Sequence, residues 1–202
     1  TAPMPAPKRP DYQDLFTAEA GEEWRMETGS WRVENEFRVS NGAIRTACVH
    51  LLPEHGAAEL HVAAASEETE AYGIFITGQT LSICRKANQI RLLDADGATR
   101  WKMALPEGFR HDALHCLTLR WDKNSTVHLD HLLLHGLTLS LPETHIGYFA
   151  DGAARFGSVT ISGVTDLLCV PTQTLVPALS VFSLAVPTDG AYLCTLYGQS
   201  DI

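Results

Sequence analysis

Carboxylates come first among the residues whose chemistry could define this chain. Glu67, Glu68 and Glu70 crowd into one short stretch. A pair of carboxylates can cleave a glycosidic bond, one as acid and one as base or nucleophile, if alternate strand positions hold them on one face. The three glutamates are expected to form a solvated acidic turn. The nine histidines are 50, 55, 61, 111, 115, 128, 131, 135 and 145. His128 and Asp130 share a strand face by parity, and His111, Asp112 and His115 lie close in sequence. No His-x-His or HExxH pairing is present, and two ligands hold a metal weakly. There is no G-x-S-x-G elbow, no G-x-G-x-x-G and no P-loop, so the usual signatures of nucleophilic and nucleotide chemistry are missing.

Sugar recognition requires something else: planar polar groups and an aromatic surface on one sheet face. Outward parity in the middle strands collects Glu59, His61, Phe75, Lys86, Gln89, Arg91, Arg100 and Lys102. Of these, Glu59, His61, Phe75, Arg91, Arg100 and Lys102 form the expected carbohydrate-binding set. An ordinary solvated face, or one packed on a neighbouring domain, explains the same pattern. The opposite parity (Leu60, Val62, Ile74, Ile76, Leu81, Ile83, Trp101, Met103, Leu119, Trp121) is the expected core. A one-residue slip in register would exchange the two sets.

Those side chains would be carried by short antiparallel strands. Leu117, Leu119 and Trp121 alternate with polar neighbours, as do Val127 and Leu129 with His128 and Asp130. Alternation at period two marks strands with one face buried. The predicted strands are 59–64, 73–77, 81–86, 89–93, 101–105, 114–121, 126–130, 137–141, 145–149 and 154–161, punctuated by Gly, Asn and Asp. Residues 66–72 have a serine cap and early glutamates but are too short for a helix, and are expected to form a loop.

At 202 residues, 45% apolar and 19% charged, the chain can bury a single sandwich core. Its net charge of −9 argues against nucleic acid or anionic lipid as the main partner. No run of about 18 apolar residues suggests a membrane span. The five cysteines have no C-x-x-C spacing. They are expected to be buried free thiols, which points to a reducing compartment. Residues 1–10 hold four prolines and are expected to be an extended linker or tail.

The order of features also carries a resemblance. A strand with His115 and Leu117, a polar turn, a strand ending in Asp130, a strand with Gly147, then Ala154 and Phe156 leading into 158–161 resembles the closing half of the concanavalin A-like lectin/glucanase sandwich. Asp14-Leu15-Phe16, Trp24, Gly29-Ser30-Trp31, Val33 and Val39–Gly42 resemble its opening strands. The form is that of laminin-G-like or fructan-binding accessory modules attached to glycoside hydrolases. One departure is Asp130-His131 in place of an Asp-Gly turn, which predicts a longer or bulged loop.

The resemblance implies an all-β antiparallel sandwich of jelly-roll type over residues 11–165. A β-hairpin extension, or the start of another domain, is expected over 166–202. It implies a non-catalytic carbohydrate-binding module of a glycan-processing enzyme, with an oligo- or polysaccharide as ligand and a catalytic domain or a second copy of the chain as further partner. A glycoside hydrolase with an unfamiliar site and a purely structural domain are the alternatives. The resemblance also implies a structural calcium near the joined termini, with Asp14 and Asp151 as candidate ligands, and it points to secretion where the cysteines point to a reducing compartment. Within the extension, 180–197 reads as two strands joined at Asp189-Gly190, apolar enough to require packing on the sandwich or on another copy.

Overall fold

The computed structural model describes residues 11–16, 23–141 and 144–163. The chain enters through β1 (Tyr12–Asp14), β2 (Trp24–Thr28), β3 (Trp31–Glu34), β4 (Phe37–Ser40) and β5 (Ile44–Leu51). Then come β6 (Gly56–Ala64), β7 (Ala71–Ile76), β8 (Gln79–Cys84), β9 (Gln89–Asp94) and β10 (Thr99–Ala104). It closes with β11 (His115–Trp121), β12 (Ser125–Leu129), β13 (Leu132–Leu133), β14 (His145–Ala150) and β15 (Ala154–Ser162). No helix occurs among the described residues, so none is long and apolar enough to cross a membrane. The expected extension over 166–202 and the linker over 1–10 lie outside them.

These strands make two antiparallel sheets. An eight-stranded sheet runs β13-β12-β11-β6-β15-β4-β3, with β1 also paired to β15. A seven-stranded sheet runs β10-β9-β8-β7-β14-β5-β2. The fold is an all-β sandwich of jelly-roll type. Alternate residues fill the space between the sheets: Leu60 and Val62 of β6, Leu117 and Leu119 of β11, Ile74 and Ile76 of β7, Leu81 and Ile83 of β8. This is the core that strand parity predicts. Trp101 and Met103 belong to it only in part, since β10 is an edge strand and leaves them half-buried.

One end of the core is aromatic. Trp24 stacks on Tyr148 with centroids 5.7 Å apart, and Phe16 and Trp31 meet Trp24 edge-on. Arg38 is 2% exposed, with its guanidinium 4.9 Å from the Phe16 ring and 5.3 Å from Trp31. The Asp14 carboxylate lies 3.8 Å away, so this buried cation has an acid and two π-faces around it.

Two expectations are corrected. Residues 137–141 do not form a strand, although Leu137 and Leu139 are buried. Their amides bond in a local turn or to side chains instead of a neighbouring strand: Leu137 N–H to the Leu134 carbonyl (3.4 Å), Leu139 N–H to Ser125 Oγ (3.1 Å) and Ser140 N–H to Gln79 Oε1 (3.4 Å). The loop after β12 is not lengthened either. Leu129 pairs with Leu132, which leaves the two-residue turn Asp130-His131. Asp130 itself takes the positive φ, 54°, as aspartate tolerates better than most residues.

Candidate functional site

The crossover between β6 and β7 decides where the expected binding residues go. Strand β6 pairs with β11 and β15, whereas β7 pairs with β8 and β14. Glu59 and His61 therefore lie on the outer face of the eight-stranded sheet. Phe75 and Arg91 lie on the outer face of the seven-stranded sheet, with Lys102 beside Arg91. The parity was legible, but the expectation of a single face is corrected: the six residues are split between opposite sides of the sandwich. Glu59 is 8% exposed. The His61 ring places Nδ1 3.1 Å from the Ser158 carbonyl, and burial pushes its pKa down.

On the seven-stranded sheet, register sets two cross-strand rows. One runs Lys102, Arg91, Ser82, Gly73, Phe149, Arg45. The next runs Leu93, Thr80, Phe75, Gly147, Ala47, Arg25. Phe75 does not offer a free stacking surface. It is 4% exposed. Its ring lies against the Gly147 backbone, and the Arg45 guanidinium stands 4.0 Å from its centroid. Arg45 is held there by Glu27, Nε to Oε2 at 2.9 Å.

Beside these rows, at the β9–β10 edge, is an open hollow of about 490 Å3 lined by Gln89, Arg91, Thr99, Arg100, Trp101 and Lys102. Three of the six expected residues thus meet. Register shifts between Thr99 and Trp101, so Arg100 is a bulge residue; bulges re-aim side chains. Its Nε donates to Asp94 Oδ2 at 2.7 Å. Asp94 Oδ1 accepts the amides of Asp96 and Ala98. Trp101 donates its indole N–H to the His135 carbonyl at 3.0 Å. Sequence reasoning placed Trp101 in the core and left Gln89 and Thr99 out of the site. The signal that could have found Trp101 is its position between two cations on an edge strand.

The remaining ionisable contacts are structural. His115 Nδ1 is 2.8 Å from Asp130 Oδ2 and its Nε2 is 2.7 Å from the Arg110 carbonyl. The Tyr72 hydroxyl lies 2.9 Å from His111 Nδ1, and the burial of Tyr72 raises its pKa far above the ordinary tyrosine value.

Asp14 and Asp151, the candidate calcium ligands, stand at different places in the fold. Asp14 faces Val159 across β1 and β15, and Asp151 precedes β15. They lie toward different ends of β15, with five strand steps, roughly 17 Å, between its first residue Ala154 and Val159. Asp14 accepts the Phe16 amide (2.8 Å) and the Trp24 indole N–H (2.9 Å), beside the Arg38 cation. Asp151 Oδ1 accepts the amides of Glu70 and Ala71. Oxygens turned to N–H donors and a guanidinium do not fit a hard cation, which needs six or more oxygen ligands. Among the described residues, no group of three or more His, Cys, Asp or Glu could hold a metal.

No protein-family model matches this chain, and no curated protein does. Solved structures do resemble it. Carbohydrate-binding module CBM66 from Bacillus subtilis superposes with a TM-score of 0.54 at 12% identity, covering 67% of this chain and 92% of that one. A protein of unknown function with a galectin-like fold, also from Bacillus subtilis, gives 0.59 at 13% identity, covering 77% and 96%. The κ-carrageenase from Pseudoalteromonas carrageenovora, in complex with an oligotetrasaccharide of κ-carrageenan, gives 0.52 at 10% identity, covering 79% and 97%. The likeness is one of fold: a lectin-like β-sandwich found in carbohydrate-binding modules and glycoside hydrolases.

Proposed function

We propose that this chain is a non-catalytic carbohydrate-binding module serving a glycan-processing enzyme. The observation that carries this reading is the hollow at the β9–β10 edge. It gathers an amide, two guanidiniums, an ammonium and a hydroxyl at one sheet edge, with Trp101 among its lining residues. Guanidinium, amide, ammonium and hydroxyl groups of this kind bond the paired hydroxyls of a sugar. A largely preformed concave site with a few convergent polar groups is the usual form of a ligand site. The similar folds named as a carbohydrate-binding module and a carrageenase support the same reading by analogy.

A binding role is favoured over hydrolysis by what lines the hollow. Glycoside cleavage needs an acid and a base or nucleophile some 5–9 Å apart. The six lining residues carry no carboxylate, and neighbouring Asp94 is engaged by Arg100 and two amides.

Affinity gel electrophoresis through fructan, arabinan, xylan, β-glucan, galactan and pectate tests the proposal. Retardation by at least one polymer is expected, reduced in Arg91→Ala. Fructan belongs in the panel because the sequence resembles fructan-binding modules. Unretarded migration through every polymer would overturn the reading.

A further inference from the structure

Lys102 faces Arg91 as a direct cross-strand pair. Like charges placed opposite one another destabilise a sheet. The chain has 24 acidic residues against 15 basic ones, so carboxylates are plentiful. Among the described residues, however, neither cation has an ion pair. Arg25 and Arg45 meet Glu27, Arg32 meets Glu34, Arg100 meets Asp94 and Arg110 meets Asp112. Arg91 has only the Gln89 amide oxygen, 3.4 Å from its Nε. Both cations line the hollow.

We infer that the hollow takes an acidic glycan, whose sulfate or carboxylate substituent is held between Arg91 and Lys102. This rests on the carbohydrate-binding reading above and narrows it. Opposed side chains on a pair of strands have Cβ atoms about 5 Å apart, so one tetrahedral or planar anion can touch both. The Arg91 guanidinium supplies a fork for two oxygens, and the Lys102 ammonium supplies a point charge. Gln89 and Thr99 remain for the sugar that carries the anion. The net charge of −9 does not oppose this, because at physiological salt exposed charges beyond about 8 Å are largely screened. Edge protection explains an exposed charge on β10. It does not explain a second cation directly opposite on β9.

Binding is measured for the whole chain against matched pairs: a sulfated galactan and its desulfated form, and polygalacturonate and its methyl ester. The acidic member of at least one pair is expected to bind tenfold or more tightly, with affinity falling as salt rises. Whichever pair shows this identifies the anion. Lys102→Glu should lose at least tenfold more affinity for the acidic member than for the neutral one, and Arg32→Gln, on the other sheet, should lose nothing for either. Lys102→Glu also creates an opposite-charge pair with Arg91, so its melting temperature should not fall, which separates lost binding from lost folding. Equal affinity within both pairs, or unchanged binding by Lys102→Glu, overturns this inference while the module reading stands. Failure to bind any glycan, neutral or acidic, overturns the module reading and this inference with it.

Discussion

Replacing Asp130 dissects a turn that does two jobs. Its backbone sits at φ 54°, its N–H donates to the Cys116 carbonyl at 2.7 Å, and its Oδ1 accepts the Cys116 amide at 2.9 Å. Its Oδ2 meets His115 Nδ1 at 2.8 Å. Asp130→Ala places an ordinary side chain in the left-handed region, at about 1 kcal/mol. It also removes the acceptor of a buried amide, at about 1–3 kcal/mol. The sum, roughly 2–4 kcal/mol, lowers the melting temperature of a domain this size by about 5–15 °C. Asp130→Gly relieves the backbone but still loses the acceptor, so it should fall between Ala and the parent. Asp130→Asn keeps both the left-handed tolerance and one acceptor, and should melt within a few degrees of the parent. Acid adds a second reading. Burial raises the Asp130 pKa, but His115 and the Cys116 amide outweigh it and hold it below the ordinary carboxylate value. Its contribution is therefore present above the unfolded value, near 4, and is lost as pH falls through the lower folded value. The Asn variant should lack that acid-dependent loss. Thermal scans of the series decide the matter. If Ala melts with the parent, or if Gly is no better than Ala, the assignment of strain and acceptor to this residue is refuted.

Two further perturbations test the sheet and its titration. Gly147→Ala would drive a Cβ into the Thr46 carbonyl oxygen and to 2.7 Å from Phe75 Cε1; a backbone atom cannot yield, so circular dichroism should find no folded protein, and a native spectrum would show the β5–β14 spacing to be misread. His61, His111 and His128 all have pKa values lowered by burial, with Arg85 and His115 adding to it at His111 and Arg120 at His128. Their folded values lie below the unfolded value near 6.5, so the unfolded chain binds protons first and stability must fall as pH drops below that value. Denaturant midpoints from pH 8 to 5 should decline on the acid side, and a flat profile would show these rings to be solvated.

Much of the fold was legible because alternation is a local signal. Leu117, Leu119 and Trp121 declare their strand without reference to anything distant, and so do Val127 and Leu129. What was not legible is which sheet a strand joins. Nothing in the residues near 59 or 75 says that the chain changes layers between them, so parity alone groups Glu59 and His61 with a face they do not share. The acceptance of positive φ by Asp130 was hidden for a similar reason: the Cys116 amide that rewards the turn lies fourteen positions back. Leu137 and Leu139 gave a true signal of burial and a false one of strand, because apolar alternation reports where side chains go, not where backbone amides find partners.

The edge strand is where fold and binding meet. The register shift at Arg100 inserts one residue ahead of Trp101, and Arg100, itself one of the residues lining the hollow, is held by Asp94. Past the bulge, regular pairing resumes with Trp101 opposite Leu92 and Lys102 opposite Arg91. The indole is thereby turned toward the core side while Lys102 stays outside. Had pairing continued without the shift, every residue before Trp101 would sit one place out of step with β9. A cation at position 102 then faces a cation at 91 by the geometry of the ladder, and the electrostatic cost, about 0.2–1 kcal/mol for such a pair, is not offset by a carboxylate among the described residues. That cost is small beside the 5–15 kcal/mol of a typical domain, so the sheet tolerates it. Relieving it accounts for about fivefold in affinity at most, since each 1.4 kcal/mol is a tenfold change; the rest of the preference for an anion over a neutral sugar comes from the charge-assisted bonds it makes to Arg91 and Lys102.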